Sequence, residues 1–481
     1  MRHLIKQQII EISLQQGLNH FRVQQLVSDR YWNEIVPMLE KAFDALGSED
    51  ELIEIDRFEL DLGVVSVKEI ENGSWVKEIS KRIEEKITAI SDPASSKYAI
   101  RSRDRRLGVF GQWAFYMEHG YLPWNAGQLN DRWYQDVLEA IAVDIKSHQV
   151  LLDKMRQLPF FLERVISQHP GHFLQKLVEI LTAKKQEDLA ACIDELLLFY
   201  RHLKSRNKIT GDQEDRQFTN RRWQWILRSV SGKSPHPDEQ GLTASMIRSF
   251  VNEYGISTRP PASLAKKMPH AWPSLRKYLE ELPAPDLPAV KKREPEISPA
   301  DKDPISSYNS RLIDEEGIFV VNAGAVLLHP FLQSIFSRLD LVNGGAFIDK
   351  RSQVASIGLI HYMATGRVGA DEYELTLAKI LCAFPLEEPI EIPGSLPPGY
   401  LQEANNLLQA VIAQWTILQN TTIEGLREGF LQRSGKLFSK NGTPYLQVEK
   451  RTIDLLLDHL PWNLGIIKLP WLQDLLRVEW R

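Results

Sequence analysis

Prolines are distributed unevenly along this chain, and this is the feature that most constrains its fold. Residues 235–304 hold 12 of the 26 prolines, and six of these fall between Pro283 and Pro304 in a charged stretch without an aromatic residue. Proline interrupts helices and central strands, and such a stretch buries too little apolar area to order itself. We therefore expect residues 235–310 to be a linker.

The first hundred residues show two kinds of hydrophobic spacing. Residues 10–14 and 58–62 place apolar side chains at alternate positions, which is typical of half-buried strands. Residues 23–46 and 75–90 repeat apolar side chains at helical spacing. Because strands joined through a helix can be parallel neighbours, residues 1–106 are predicted to form a small β-α-β-α domain.

Residues 107–234 show helical spacing and form the predicted helical middle region. Pro159 and Pro170 stand at expected helix starts, where the missing N–H costs nothing. The expected helices cover residues 108–119, 131–143, 145–157, 159–168, 172–183 and 186–204. Short helices are also expected at 246–254 and 275–282.

Residues 311–481 return to a mostly helical pattern and end differently. A helix over 352–365 is expected to end at Gly366, whereas residues 445–449 and 476–480 alternate like short strands. The predicted fold class is α+β and predominantly α-helical. It comprises the N-terminal unit, a helical middle and a helical C-terminal domain that ends in short strands.

Composition excludes several classes of protein. The 481 residues carry a formal net charge of -5, which argues against nucleic acid or an anionic membrane as the main partner. Two cysteines rule out a disulfide framework, and no signal-peptide pattern begins the chain, so a reducing cytoplasm is expected. Residues 317–337 lack Asp, Glu, Lys and Arg, but polar residues within them favour a buried helical hairpin over a membrane span.

Motifs that would carry chemistry are missing from the sequence. It contains no Gly-rich phosphate loop, no nucleophile elbow and no His-Glu-x-x-His helix. His329 and His361 lack ligand partners at metal-binding spacing, and the adjacent Glu387 and Glu388 are typical of a solvated loop. The basic and Trp-rich segment 216–228 is read as an amphipathic helix. We therefore expect no catalytic, cofactor-binding or metal-binding residue.

Several blocks near both ends of the chain resemble one protein family. The blocks are His3-x-Ile5, residues 55–63, 120–124, 321–332, 362–366, 379–389, 425–433, 460–462, 469–471 and 478–480. In this order they resemble the tape measure proteins of contractile injection systems, phage-tail-like particles related to type VI secretion. The candidates for contact or fold roles within them are Asp56, Arg57, Gly63, Trp124, Asn322, His329, Pro330, Glu387, Arg427, Trp462, Trp471 and Trp480.

The resemblance implies a role in particle assembly without enzymatic activity. Such a protein helps start the inner tube on the baseplate and sets the tube's final length. The implied partners are tube, baseplate and spike proteins, with an AAA+ ATPase from the same gene cluster as a further candidate. Assembly would take place in the cytoplasm, with the protein then released or retained in the tube lumen or baseplate.

The reach of the chain leaves the ruler role open. Fully helical, 481 residues would span roughly 720 Å, but only about 180 middle residues could act as a spacer, or roughly 270 Å. Either several copies stack, or the middle region unravels inside the tube, or the protein is a baseplate-associated assembly chaperone without a ruler role. An enzyme is a remote alternative. Trp462, Trp471 and Trp480 are expected to form one aromatic cluster.

Overall fold

The computed structural model describes residues 5, 8–14, 19–46, 51–55, 57–91, 100–126, 129–185, 187–205, 215–232, 239–254, 275, 317–392, 394–418 and 420–480. The chain divides into two compact units, Met1–Gly111 and Gln112–Arg481. Most of the predicted linker 235–310 lies outside the described residues. The division into four regions at residues 106, 234 and 310 stays a prediction.

The N-terminal unit is built mainly from helices. Its described elements are α1 (His20–Arg30), α2 (Val36–Asp44), β1 (Glu51–Ile55), α3 (Val67–Asn72), α4 (Trp75–Ser91) and β2 (Ile100–Asp104). A π-helical turn, Tyr31–Ile35, joins α1 to α2, so the long predicted helix forms with one extra residue in its middle. Val27, Tyr31, Ile79 and Ile83 contribute to the buried core of this unit.

The strands predicted at 10–14 and 58–62 are wrong. Both segments lack regular secondary structure, and the strands that do form, β1 and β2, pair antiparallel rather than parallel. Phe58, Leu60 and Leu62 nevertheless pack against the core, as their alternation predicts. Carbonyls of this segment accept hydrogen bonds from Lys86 and Arg82 of α4 instead of from a neighbouring strand.

The helical middle region forms as its spacing predicts. Its elements are α5 (Arg105–His119), β3 (Leu122–Pro123), α6 (Asp131–Val143), α7 (Ile145–Gln157), α8 (Pro159–Ser167), α9 (Gly171–Thr182), α10 (Glu187–Ser205) and α11 (Asp215–Ser231). A further helix, α12 (Glu239–Tyr254), lies within the predicted linker and buries Leu242, Met246 and Phe250. Side chains cap the helix starts: Asn130 accepts from the N–H of Trp133 at 2.9 Å, and Asp144 from that of Ser147 at 2.8 Å. The short helix predicted at 246–254 lies within α12, whereas residues 276–282 lie outside the described residues.

The C-terminal part combines helices with short strands. Its α-helices are α13 (His329–Arg338), α14 (Lys350–Thr365), α15 (Thr376–Leu381), α16 (Pro398–Gln414) and α17 (Ile423–Leu426). Its strands are β4 (Ile318–Val320), β5 (Val342–Asn343), β6 (Ala346–Phe347), β7 (Gly435–Lys440), β8 (Thr443–Val448), β9 (Ile466–Ile467) and β10 (Leu476–Glu479). The predominantly helical α+β fold class is therefore confirmed.

Two sequence expectations for this part need correction or completion. The hairpin predicted at 317–337 is only partly helical, because residues 318–320 form β4 and a 3-10 turn, Ala323–Leu328, precedes α13. The residues of β4 are all buried, so this segment is a short, continuous apolar run. Such a run is compatible with a buried strand or a buried helix, and the sequence alone does not distinguish them. The strands β8 and β10 were expected, whereas β7 was not.

A six-stranded sheet connects the middle region with the C-terminal part. Its strand order is β3-β4-β7-β8-β10-β9, and β8 and β10 run parallel while the other neighbours are antiparallel. One face is buried in the main core through Val320, Leu437, Leu446 and Val478. Alternate residues of β7, β8 and β10 are half-buried or exposed, as the period of two in a strand requires.

A buried ion network as the candidate functional site

Gly120 ends α5 and lets two buried charges approach its backbone. Its φ is +82°, a left-handed conformation that favours glycine. A Cβ atom at this position would lie 2.5 Å from Oε1 of Glu372 and 2.8 Å from Nη2 of Arg164. Any side chain here would therefore displace the charged groups as well as strain the turn.

Glu372 is held between two cations inside the protein. Nε of Arg164 donates to Oε2 of Glu372 at 2.9 Å, and Nζ of Lys379 donates to Oε1 at 2.6 Å. The exposed fraction of each side chain is at most 1%. These three residues, which we call the ion triad, belong to α8, to the 3-10 turn Glu372–Leu375 and to α15.

Backbone carbonyls satisfy the remaining donors of the triad. Nη1 of Arg164 donates to the carbonyl of Glu118 at 2.6 Å, and its Nη2 to the carbonyl of Glu387. Nζ of Lys379 donates to the carbonyls of Leu386 at 3.0 Å and Glu388 at 2.8 Å. The triad therefore fixes the end of α5, α8, α15 and the loop 385–388 against one another.

A second layer of hydrogen bonds surrounds the triad. Oε1 of Gln168 accepts from the hydroxyl of Tyr116 at 2.8 Å and from the backbone N–H of Glu372 at 2.8 Å. Burial, helped by the charge of Glu372, raises the pKa of the Tyr116 hydroxyl well above its ordinary value. Tyr116 therefore remains a neutral donor that orients Gln168.

The two cations outnumber the one carboxylate. Burial lowers the pKa of Lys379 below its ordinary value, because the cost of desolvating its ammonium exceeds the attraction of Glu372. Loss of Glu372 would therefore be strongly destabilising, because it would leave two buried cations without a counter-ion. The chemical role of the triad is to hold segments from distant parts of the chain in one fixed arrangement.

The adjacent carboxylates at the rim of the triad point to different bases. Oε1 of Glu387 lies 2.8 Å from Nδ1 of His119, whereas the carboxylate of Glu388 accepts from Lys350. An acid–base pair for catalysis would instead need both carboxylates within hydrogen-bond reach of one bound substrate. Glu387 thus joins its loop to the end of α5.

Arg427 binds the end of another helix. Its Nε donates to the carbonyl of Met363 at 3.1 Å and its Nη2 to that of Tyr362 at 3.3 Å, so it satisfies carbonyls in the last turn of α14. Gly366 caps this helix with φ +75°, and a Cβ there would lie 3.0 Å from Nη1 of Arg427. The predicted glycine cap is confirmed.

The three C-terminal tryptophans do not form the predicted single cluster. The indole N–H of Trp462 donates to the carbonyl of Leu327 at 3.1 Å, and that of Trp471 to Leu381 at 2.7 Å. The indole of Trp480 donates to Oδ2 of Asp454 at 3.2 Å. Each ring thus binds the chain end to a different element, because Trp462 and Trp471 follow separate Leu-Pro turns and Trp480 follows β10.

The remaining candidates from the family motifs are dispersed. Asn322 is buried, with its Nδ2 3.5 Å from the carbonyl of Glu374. The ring of His329 lies 2.9 Å from the carbonyl of Val326, and burial lowers its pKa. Pro330 is exposed in the first turn of α13, and Trp124 lies under Nζ of Lys436 at 4.9 Å.

Two candidates from the first motif block lie in the N-terminal unit. Arg57 is exposed and pairs with Glu59 at 3.3 Å. Gly63 has φ +64°, and its N–H donates to Oδ1 of Asp61 at 2.9 Å. Asp56 lies outside the described residues. The triad brings together segments that include Glu387 but none of the other candidates, whose contact roles stay predictions.

The sequence motifs do not include Arg164 or Glu372, and they include Lys379 only within the block 379–389. A signal was available, because Arg164 stands between Leu162 and Val165 and Lys379 between Ala378 and Ile380, where helical spacing expects apolar side chains. A charged residue on an apolar helix face requires a buried partner. The identity of that partner could not be read from spacing.

Metal-binding clusters and membrane-spanning helices are both absent from the part of the chain that the structure describes. No group of three or more His, Cys, Asp or Glu side chains there could hold a metal ion. No helix in that part of the chain is long and apolar enough to cross a membrane.

Comparison with known proteins identifies one family. The sequence model of the contractile injection system tape measure protein family matches residues 2–480, essentially the whole chain. Neither the curated proteins nor the solved structures contain a significant match.

Proposed function

Because the chain belongs to the contractile injection system tape measure protein family, we propose that it is a non-enzymatic assembly protein that starts the inner tube on the baseplate and sets its length. Residues 112–481 would be the end that docks to tube, baseplate or spike proteins. The carrying observation is that the motif blocks at 120–124 and 379–389 meet around the ion triad. These two blocks resemble the family and are held in one fixed arrangement by the triad. A fixed arrangement of this kind is suited to docking against a partner protein.

The folded middle region constrains how length could be set. The longest described helix between residues 129 and 254 is α10, whose 19 residues span about 28 Å. These helices pack together instead of forming a sustained rod. A single-chain ruler would therefore require residues 125–310 to unfold inside the tube, whereas stacked folded copies would not.

A second candidate is a baseplate-associated chaperone that stays folded and has no ruler role. The ion triad favours it, because Arg164 in the middle region is bonded to Glu372 and to the carbonyl of Glu387. Unravelling the middle region would expose this buried ion pair and break several charge-assisted hydrogen bonds. An AAA+ ATPase from the same gene cluster would be a candidate source of the energy needed to unfold the middle region.

Tube length separates the two candidates. Duplicating about 60 residues within 125–310 should lengthen tubes by roughly 90–200 Å for a single-chain ruler, and by a multiple of that for stacked copies. The measurement is the length distribution of purified particles by electron microscopy. Particles of unchanged mean length would support the chaperone and contradict the ruler.

An insertion elsewhere controls for added mass. The turn at Asn441 and Gly442 joins β7 to β8, and both residues are exposed. A 60-residue insertion there adds the same length outside the spacer, so a ruler in 125–310 predicts unchanged tubes. Cells that lack the protein should form no particles or tubes of uncontrolled length; normal particles from such cells would contradict both candidates.

A further inference from the structure

Residues 8–14, which we call the N-terminal segment, have a strand pattern but no strand partner among the described residues. Ile10, Ile12 and Leu14 stand at alternate positions, yet their side chains are 50%, 42% and 36% exposed. The backbone of the segment is not hydrogen-bonded to any described residue. Unpaired backbone groups beside a row of exposed apolar side chains are what a strand offers to the edge of another sheet.

The N-terminal segment also carries an unpaired charge. Glu11 is exposed and forms no ion pair with a described residue. In an extended chain its carboxylate lies on the face opposite the apolar row. The hydroxyl of Tyr31, whose ring is buried in the core of the N-terminal unit, donates to Oε1 of Gln8. The segment therefore leaves the unit at a defined point and presents one apolar face and one acidic face.

Strand β9 is an open edge of the six-stranded sheet. It pairs with β10 on one side only. The N–H of Val478 donates to the carbonyl of Gly465 at 3.0 Å. Because backbone groups alternate in direction along an antiparallel strand, those of Ile466 and Lys468 point away from β10. No described residue is hydrogen-bonded to these outward backbone groups.

The β9 edge continues both faces of the sheet. Ile467 and Leu469 are buried in the main core, whereas Ile466 is 48% exposed and Lys468 is exposed. Nζ of Lys468 donates to the carbonyl of Gln473 at 2.9 Å, and its charge forms no ion pair with a described residue. The edge thus combines free backbone groups, an apolar inner face and a cation on the outer face.

We propose that the N-terminal segment of one copy of this chain pairs antiparallel with the β9 edge of a second copy. One register matches both faces. When Ile12 lies opposite Ile467, the apolar row of the segment extends the core face of the sheet, and Glu11 lies opposite Lys468. A shift by one residue would turn the apolar row to the outer face. The charge match at this register is the argument for a second copy as the occupant.

Such a contact is head-to-tail, because the two surfaces differ. A pair of copies retains one unused segment and one unused edge, so further copies can add in series. The contact does not depend on whether the chain sets tube length. It is therefore tested with the purified protein in the absence of particles.

Sedimentation velocity of the full chain between about 1 and 100 µM measures self-association, and we expect the mean sedimentation coefficient to rise with concentration. Ile10→Lys with Ile12→Lys places two charges on the core face of the contact and should weaken association at least about 10-fold. Phe21→Lys with Val64→Lys adds the same charges at exposed apolar positions of the same unit, and association should stay within about twofold of the wild type. Circular dichroism checks that each variant is folded.

Charge reversal tests the predicted ion pair. Glu11→Lys and Lys468→Glu each place like charges opposite one another and should weaken association about 3- to 10-fold. The two substitutions in one chain restore opposite charges, so association should return to within about twofold of the wild type. Such a rescue requires direct contact between the two positions.

Disulfide cross-linking measures the register. The native Cys192 and Cys382 are buried, so a cysteine introduced at an exposed position is the accessible thiol. A Ser13→Cys chain mixed with an Ile466→Cys chain should cross-link, because these positions are paired in the proposed register with Cα atoms about 5.5 Å apart. Ser13→Cys mixed with Lys468→Cys is two residues out of register, about 7–8 Å apart, and should cross-link at least about 5-fold less. A product that joins the two unlike chains is intermolecular.

Four outcomes would overturn the proposal. They are a protein that stays monomeric at about 100 µM, equal weakening by the Phe21 and Val64 control, no rescue by the double charge reversal, and cross-links that do not depend on register. Weakening confined to the segment and edge variants, together with rescue and the register-specific cross-link, supports it.

Discussion

Arg164 and Glu372 are 208 positions apart in the sequence and form an ion pair in which neither side chain exposes more than 1% of its surface. Pairing charges over such a separation fixes the arrangement of α8 relative to the C-terminal segments. The pair is costly to bury, and its benefit depends on every donor having an acceptor. Here the carbonyls of Glu118 and Glu387 complete the set.

Arg164→Met should destabilise the fold by about 3–5 kcal/mol, because it leaves Oε2 of Glu372 and the buried carbonyls of Glu118 and Glu387 without their donor. The measurement is the urea midpoint of unfolding of the unit that contains residue 164. Arg338→Met provides the matched control, since Arg338 pairs with Glu403 at the surface and its loss should cost less than about 1 kcal/mol. Equal shifts for the two variants would contradict a special role for the buried pair.

The sequence predicted helices better than it predicted strands or the ion triad. Helix starts such as Pro159 and ends such as Gly366 are encoded within a few residues, and the structure places them where expected. Residues 58–62 alternate like a strand and do pack one set of side chains against the core, but alternation does not specify a pairing partner, and the alternating residues 10–14 are exposed. The Arg164–Glu372 pair depends on tertiary contacts that no local pattern contains.

His169 should make stability depend on pH. Its Nδ1 lies 2.9 Å from the carbonyl of Val165 and its Nε2 accepts from the indole of Trp113 at 3.0 Å, so the buried ring is neutral. Burial lowers its pKa from 6.5 to about 4. Between pH 6.5 and 4 the imidazole is therefore protonated in the unfolded chain but neutral in the folded chain. The free energy of unfolding consequently falls as the pH drops from 6.5 to 4.

At pH 5 this effect amounts to about 2 kcal/mol. The His169→Gln variant cannot titrate, and its Oε1 can still accept from Trp113, so its stability should fall less between pH 7 and pH 5 than that of the wild type. Denaturation midpoints at both pH values give the comparison. An equal loss of stability in the wild type and in His169→Gln would show that other groups cause the acid sensitivity.

Gly366→Ala should cost about 1–2 kcal/mol, since an L residue is disfavoured at φ +75° and the new methyl would press on the Arg427 guanidinium at 3.0 Å. Gly369→Ala is a matched control three residues away, where a Cβ would meet nothing within 4 Å. Its effect should stay below about 0.5 kcal/mol. Thermal unfolding of both variants measures the difference, and similar midpoints would argue against the cap.

Trp471 should link the end of the chain to particle assembly. Its ring packs 5.6 Å from Phe336 and 5.1 Å from Phe347, and its N–H donates to the carbonyl of Leu381, the last residue of the helix that carries Lys379. Trp471→Ala removes both the packing and the hydrogen bond and should destabilise the fold by about 2–4 kcal/mol. Trp471→Phe keeps most of the packing and should lose about 1 kcal/mol.

If residues 112–481 dock as a rigid body, the yield of particles should follow this order of stability, with Trp471→Ala lowest. Trp32→Ala removes an equally large ring that is 62% exposed in the N-terminal unit, and its unfolding midpoint should change little. Particle counts by electron microscopy at equal protein levels measure the effect. Normal yields from a Trp471→Ala protein that is demonstrably destabilised would show that assembly does not depend on the rigidity of this end of the chain.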